Sequence, residues 1–152
     1  MPIRIIAVGK KHESWVIEGI ERYHRRLKRP FIFEWVLLPH SALSGDRARQ
    51  EESQRILSHL NANDYVILLD ERGKSIDSPS FSKLLLSPLE SSREVVIIIG
   101  GAYGVDDTIH HNADFVWSLS QLVFPHQLVR LILAEQIYRA QEIAGGKPYH
   151  HE

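Results

Sequence analysis

The sequence predicts an α/β protein, a single domain over residues 1–152 with a mainly parallel sheet flanked by helices. Three observations predict it. Apolar runs of strand length alternate with segments of helical spacing from end to end, the pattern of parallel strands joined by crossover helices. Val95–Ile99 is an unbroken run of branched aliphatic residues, as befits a strand buried on both faces of a parallel sheet. No repeat, linker or shift in composition interrupts the 152 residues, a length that suits one hydrophobic core.

Each element has its own signal. Ile3–Val8 is a short apolar strand closed by Gly9, and Ser14–Lys28 shows helical spacing through Trp15, Ile17, Ile20, Tyr23 and Leu27. Pro30 stops that helix, and Phe31–Leu38, rich in aromatic and branched residues, reads as a strand. After a polar loop, Arg47–Leu60 reads as a charged helix buried through Ile56, Leu57 and Leu60. Tyr65–Leu69 is a strand ending in Asp70, with Glu71–Lys74 as a turn. Ser78 is the expected N-cap of the next helix, with Pro79 at its first position. After Val95–Ile99 come the glycine-rich run Gly100–Gly104, a short helix near Asp106–His111 and a strand at Phe115–Leu119. The loop Ser120–Pro125, a helix from His126 to Ile143 and the tail Gly145–Glu152 complete the chain.

Composition narrows the classes. There is no cysteine, which removes disulfide frameworks and thiolate metal sites. The first residues lack the apolar core and cleavage pattern of a signal peptide, and no apolar run approaches the ~20 residues of a membrane-spanning helix. A soluble, cytoplasmic protein is expected. The net charge of −1 weighs against a strongly basic nucleic-acid surface, yet Arg22, His24, Arg25, Arg26, Lys28 and Arg29 cluster within eight residues. Such a cluster suits either the cationic last turn of a helix or a phosphate-facing patch.

Ligands of open α/β sheets bind at the carboxyl ends of the strands. Leu69-Asp70, Gly100–Gly104 and Leu119–Phe124 occupy three such ends. The glycines come too late, and with the wrong spacing, for a dinucleotide fingerprint in the first β-α unit, which argues against a nicotinamide dehydrogenase. Adjacent glycines either make a tight turn or let a ligand approach the backbone. The segment Ser118–His126 is apolar where a surface loop is normally polar. A buried loop is therefore expected, its backbone groups satisfied by adenine or by another loop. Glu135 and Arg139 stand four apart on the last helix, a spacing that by itself makes a simple surface ion pair. Adjacent His150 and His151, without a matched acid or cysteine, make a weak metal site, and no metal is expected.

Taken in order, Ile5–Lys10, Ile99-Gly100-Gly101, Trp117–Ser120, Phe124–Arg130, Glu135–Ala140 and Pro148-Tyr149-His150 closely resemble the RlmH family. These are the large-subunit (23S) ribosomal RNA pseudouridine N3-methyltransferases of the SPOUT superfamily. The resemblance covers the whole chain. It implies an α/β domain whose C-terminal third is threaded into a trefoil knot, an exception to ordinary chain topology. It implies S-adenosyl-L-methionine as cofactor, held by Leu69, Gly100 and the loop residues Leu119, Ser120, Gln121, Leu122, Val123 and Phe124. It also implies a homodimer acting on the ribosome, with a C-terminal tail that reaches the substrate. Arg139, Tyr149 and His150 are the expected catalytic residues, His150 as a base and Arg139 as a nearby cation. Holding the methyl donor in line with the nitrogen would supply further acceleration. A non-catalytic ribosome-binding factor of the same fold is the alternative, separated by whether S-adenosylmethionine binds at all.

Overall fold

The computed structural model describes residues 1–9 and 11–151. Lys10, which closes the opening motif, and Glu152, the last residue of the tail, lie outside the described residues. The elements run β1 (Ile3–Val8), α1 (Ser14–His24), β2 (Phe33–Leu38), α2 (Gly45–Leu57), β3 (Tyr65–Lys74), α3 (Ser78–Glu90), β4 (Val95–Ile99), α4 (Asp107–Asn112), β5 (Phe115–Trp117) and α5 (His126–Ala144). The strands form one sheet in the order β2-β1-β4-β3-β5, and every neighbouring pair is parallel.

That order explains which helix covers which face. Successive connections reverse direction across the sheet, so crossovers of constant hand must alternate between its faces. The core divides accordingly. Ile3, Ile5, Ile67, Val95, Ile97 and Ile99 pack with Val16 and Ile20 of α1, Phe81 and Leu85 of α3, and Leu133 and Ile137 of α5. Ile6, Val8, Val66, Leu68, Val96 and Ile98 point the other way, toward Ile56 of α2 and Ile109 of α4. β4 is buried at every position, which accounts for its unbroken aliphatic run.

Several elements depart from their sequence signals. α1 ends at His24, because Gln141 Oε1 of the last helix takes the Lys28 amide at 2.7 Å. Its core stripe is Val16 and Ile20, while Trp15 and Ile17 stand 48% exposed. The stretch read as a turn after Leu69 instead continues β3 past a register shift to pair Lys74 with Trp117. Its backbone there approaches β5 so closely that a Cβ on Gly73 would lie 2.6 Å from the Val116 carbonyl oxygen. β5 stops at Trp117 rather than Leu119, and Ser118 turns the chain by donating its hydroxyl to Ser120 O. α3 is capped by the Asp77 carboxylate, which accepts the Ser80 amide at 2.8 Å, with Ser78 already helical. No helix among the described residues is long and apolar enough to cross a membrane.

Candidate functional site

A parallel sheet brings all carboxyl strand ends to one edge, and there the chain opens a cleft of about 850 Å³. β1 and β4 are neighbours followed by helices on opposite faces, which leaves a crevice between their ends. Val8 and Gly9 border the cleft from β1, and Ile99 to Val105 from β4. Leu69 and Asp70 close it from β3, and Trp117, Leu119, Ser120, Leu122, Val123 and Phe124 from β5 and the loop beyond. His126, Gln127, Val129 and Arg130 enter from the first turns of α5. The strand ends and the loop expected to hold a cofactor thus share one wall, except that Gln121 is exposed and does not line the cleft.

The loop differs from its reading in one respect. Leu122 and Val123 are not buried but 69% and 77% exposed. The loop satisfies part of its own backbone, since Ser120 Oγ accepts the Leu122 amide at 3.0 Å. Leu122 and Val123 are then left at the cleft rim, with no other segment among the described residues covering them.

The wall is charged in a graded way. At the outer edge Asp70 is gripped by Arg72 at 2.9 Å and approached by His110 at 3.3 Å. Burial alone would raise its pKa, but hydrogen bonds and charge from Arg72 hold it below the ordinary carboxylate value. Deeper in, His126 lies against the backbone of Gly100, and its pKa is pushed down first by burial and then by the charge of Arg130. Arg130 itself is fully buried.

A second cavity of about 670 Å³ lies behind the loop, lined by Ile76, Asp77, Ser78, Pro79, Ile132, Gln136 and His150. Trp117, Leu119 and Phe124 line both cavities. Beside the second one the structure gathers Arg139, Tyr149 and His150. Glu135 accepts from Arg139 Nε at 3.1 Å and from the Tyr149 hydroxyl at 3.2 Å. The Arg139 guanidinium lies 4.8 Å from the Tyr149 ring centre and donates to His150 Nδ1 at 2.9 Å. Tyr149 also packs edge-on against Tyr138 at 4.9 Å, so the tail folds back onto α5.

These contacts fix the protons. An arginine can only donate, so His150 Nδ1 is an acceptor and the neutral ring carries its hydrogen on Nε2. Burial and then the nearby Glu135 charge push the Tyr149 pKa up to about 12, keeping the phenol protonated. The Glu135 hydrogen bond raises Arg139 further. The cluster therefore presents donors, with His150 Nδ1 occupied by Arg139 in this arrangement.

Arg130 closes the segment Phe124–Arg130, and no role was expected of it from the sequence. The signal was its position three and seven residues before Leu133 and Ile137, on the buried stripe of the helix. Among the described residues no group of three or more His, Asp or Glu side chains is placed to hold a metal ion.

A parallel α/β sheet with a cleft at its carboxyl edge, walled by the loop after β5, defines a class of ligand-binding domain. The family model described as "Predicted SPOUT methyltransferase" matches residues 1–150. The chain is 40% identical over 158 residues to the ribosomal RNA large subunit methyltransferase H of Desulfitobacterium hafniense (strain DSM 10664 / DCB-2), covering 99% of each. It is 38% identical over 156 residues to the enzyme of the same name from Methylobacillus flagellatus, covering 100% of each. Among solved structures, the SpoU methyltransferase AviRb from Streptomyces viridochromogenes, in complex with AdoMet, gives a TM-score of 0.48 at 12% identity, covering 93% of this chain and 58% of that one. The chain belongs to the SPOUT methyltransferase family.

Proposed function

We propose that this methyltransferase uses S-adenosyl-L-methionine to methylate N3 of a pseudouridine in large-subunit ribosomal RNA. It would act in the cytoplasm, on the assembled ribosome and as a homodimer. The observation that carries this reading is the pair of cavities that share Trp117, Leu119 and Phe124 in their walls. One offers apolar side chains and exposed loop backbone. The other lies beside a cluster of fixed donors.

The cleft fits the cofactor. Leu119, Leu122, Val123 and Phe124 can sandwich adenine, while loop backbone groups read its edge. Gly100 brings the β4 backbone to the wall, and Leu69 closes the opposite side. The apolar side chains at the rim are left for a ligand or partner to cover. We further propose that the C-terminal third is knotted. The close approach of Gly73 to Val116, and the Ser118 amide donating to Lys74 O at 3.0 Å, suit a chain threaded beside the β3 extension.

The cofactor, when bound, supplies an electrophilic methyl group. The protein's part is positioning and electrostatics. Arg139 and the Nε2 hydrogen of His150 would donate to the imide oxygens that flank N3, stabilising the nitrogen as an anion. Tyr149 holds Glu135, and Glu135 holds Arg139 in place. The N3 proton then leaves to water. The exposed cations Arg22 in the last turn of α1 and Arg25, Arg26, Lys28 and Arg29 beyond it offer a local phosphate-binding surface, which reconciles RNA binding with near-neutral net charge. Trp15 and Ile17 offer α1 an apolar surface for a second copy, whose presence light scattering reads.

The test is tritiated methyl transfer to ribosomes from a strain lacking the modification, followed by nucleoside mapping. Label on pseudouridine N3 of the large-subunit RNA is expected. Binding to ribosomes with neither cofactor binding nor label would leave a docking factor.

A further inference from the structure

Arg130 is out of keeping with its surroundings. It is the largest fully buried side chain, with 0% exposure. A buried guanidinium ordinarily sits against a carboxylate, because an unpaired charge away from water is costly. Here the partners among the described residues are neutral. Arg130 donates to Val8 O at 3.4 Å, Gly9 O at 3.3 Å and His12 Nδ1 at 3.2 Å, and its Nε meets no acceptor. These are long bonds for a charged donor. Arg130 also lines the deep end of the cleft, beside Gly9, His40 and His126. Gly9 is at φ +125°, and a Cβ there would lie 2.9 Å from Arg130 Nη2, so glycine keeps this approach open.

The surroundings favour an anion. The site lies at the start of α5, a 19-residue helix whose first turn has no side-chain cap, and free amides at such a terminus attract negative charge. Burial, followed by the Arg130 charge, lowers the pKa of His126 and of His12. Both rings are therefore neutral near pH 7 and can donate or accept without adding charge. Among the described residues the buried cation has no carboxylate in contact, although the buried Glu52 acts on neighbouring His126.

We infer that Arg130, with the first turn of α5 and His126, forms a carboxylate subsite for the amino-acid end of the methyl donor. This rests on reading the cleft as the S-adenosylmethionine site. With adenine at the 119–124 loop, the amino-acid end extends past Gly100 toward Gly9 and Arg130, along residues that line the same cleft. Arg130 has no exposed surface in the free chain, so a small end group reaches it by displacing one of its long contacts to Val8, Gly9 or His12. An RNA phosphate, tied to a bulky polymer, would engage the exposed rim. A planar carboxylate also matches the forked donors of arginine.

Calorimetry with three ligands tests it: S-adenosylmethionine, its decarboxylated analogue and 5′-methylthioadenosine. Each is titrated into the wild type and into Arg130→Gln, with folding checked by circular dichroism. The wild type should bind the full donor at least about tenfold more tightly than the decarboxylated analogue, the scale of a charged hydrogen bond. In Arg130→Gln that preference should vanish, with methylthioadenosine binding unchanged. Equal affinity of the wild type for the two sulfonium ligands overturns the subsite, and this comparison needs no variant to fold. A preference that survives in folded Arg130→Gln overturns the assignment to Arg130. So does a variant that loses affinity for ribosomes but none for the donor. If the wild type binds neither methylthioadenosine nor the donor, the cofactor reading of the cleft falls and the subsite falls with it. If methylthioadenosine binds and the carboxylate adds nothing, only the subsite falls.

Discussion

Gly100 is constrained by the turn that follows it. A Cβ there would lie 3.0 Å from Val105 Cγ1 and 3.3 Å from the Gly104 carbonyl carbon. A valine would push that turn across the cleft, at a cost typical of overpacking, about 1–3 kcal/mol. Gly100→Val should therefore fold but lose at least about tenfold in S-adenosylmethionine affinity by calorimetry; unchanged affinity in a folded variant would remove Gly100 from the site. His126 makes a prediction about pH. Its folded pKa lies below the ordinary 6.5, chiefly through burial and then through Arg130. Below pH 6.5 the unfolded chain binds the proton more readily, so stability falls as pH drops from there toward the folded pKa. Urea midpoints between pH 7.5 and 5.5 should fall less for His126→Gln than for the wild type, and parallel curves would count against a buried neutral ring. The two residues differ in how legible they were. A glycine pair after an aliphatic strand stands out by composition. Arg130 and His126 do not, since a charged residue on a helix normally faces water and only the stripe through Leu133 and Ile137 gives its burial away.

Strands were legible where they are central and obscure where they are peripheral. β4 read correctly because burial on both faces demands an unbroken aliphatic run. The extension of β3 through Arg72 and Lys74 did not, because its side chains are mostly exposed and polar residues around a glycine carry the composition of a turn. Its pairing with β5 is set by a partner more than forty residues away, which local propensity cannot report. Gly73 is the position that allows it. A Cβ would meet Val116 O at 2.6 Å and Trp117 N at 2.9 Å, and backbone cannot rotate aside as a side chain can. Gly73→Ala is expected to destabilise the protein by about 1–3 kcal/mol, read from urea unfolding. A variant as stable as the wild type would mean that β3 and β5 can part there at little cost.

At the scale of the molecule, sequence alternation yielded the parallel sheet and its two helical layers, but not the strand order, since several orders satisfy the same alternation. Nor did it show that the tail docks. A tail that reaches the substrate was expected from the resemblance, and in the structure Tyr149 packs on Tyr138 and Arg139 and His150 bonds to Arg139. Deleting residues 149–152 should leave cofactor affinity within about threefold of the wild type and abolish methyl transfer to ribosomes, with a modest loss of stability from the lost aromatic contact, about 0.5–1.5 kcal/mol. Full activity in the truncated protein would make the tail dispensable. The strand order has a further consequence during synthesis. β1 can pair with β2 once residue 38 has left the ribosomal tunnel, but β3 has no neighbour until β4 arrives at residues 95–99 and slots between it and β1. From the completion of β3 at residue 74 to that of β4 at residue 99, the nascent chain therefore holds a two-stranded ribbon and a detached hydrophobic strand whose edges are unprotected. Mutations that slow the arrival or docking of β4 are for this reason expected to reduce the yield of soluble protein more than they reduce the stability of what has folded.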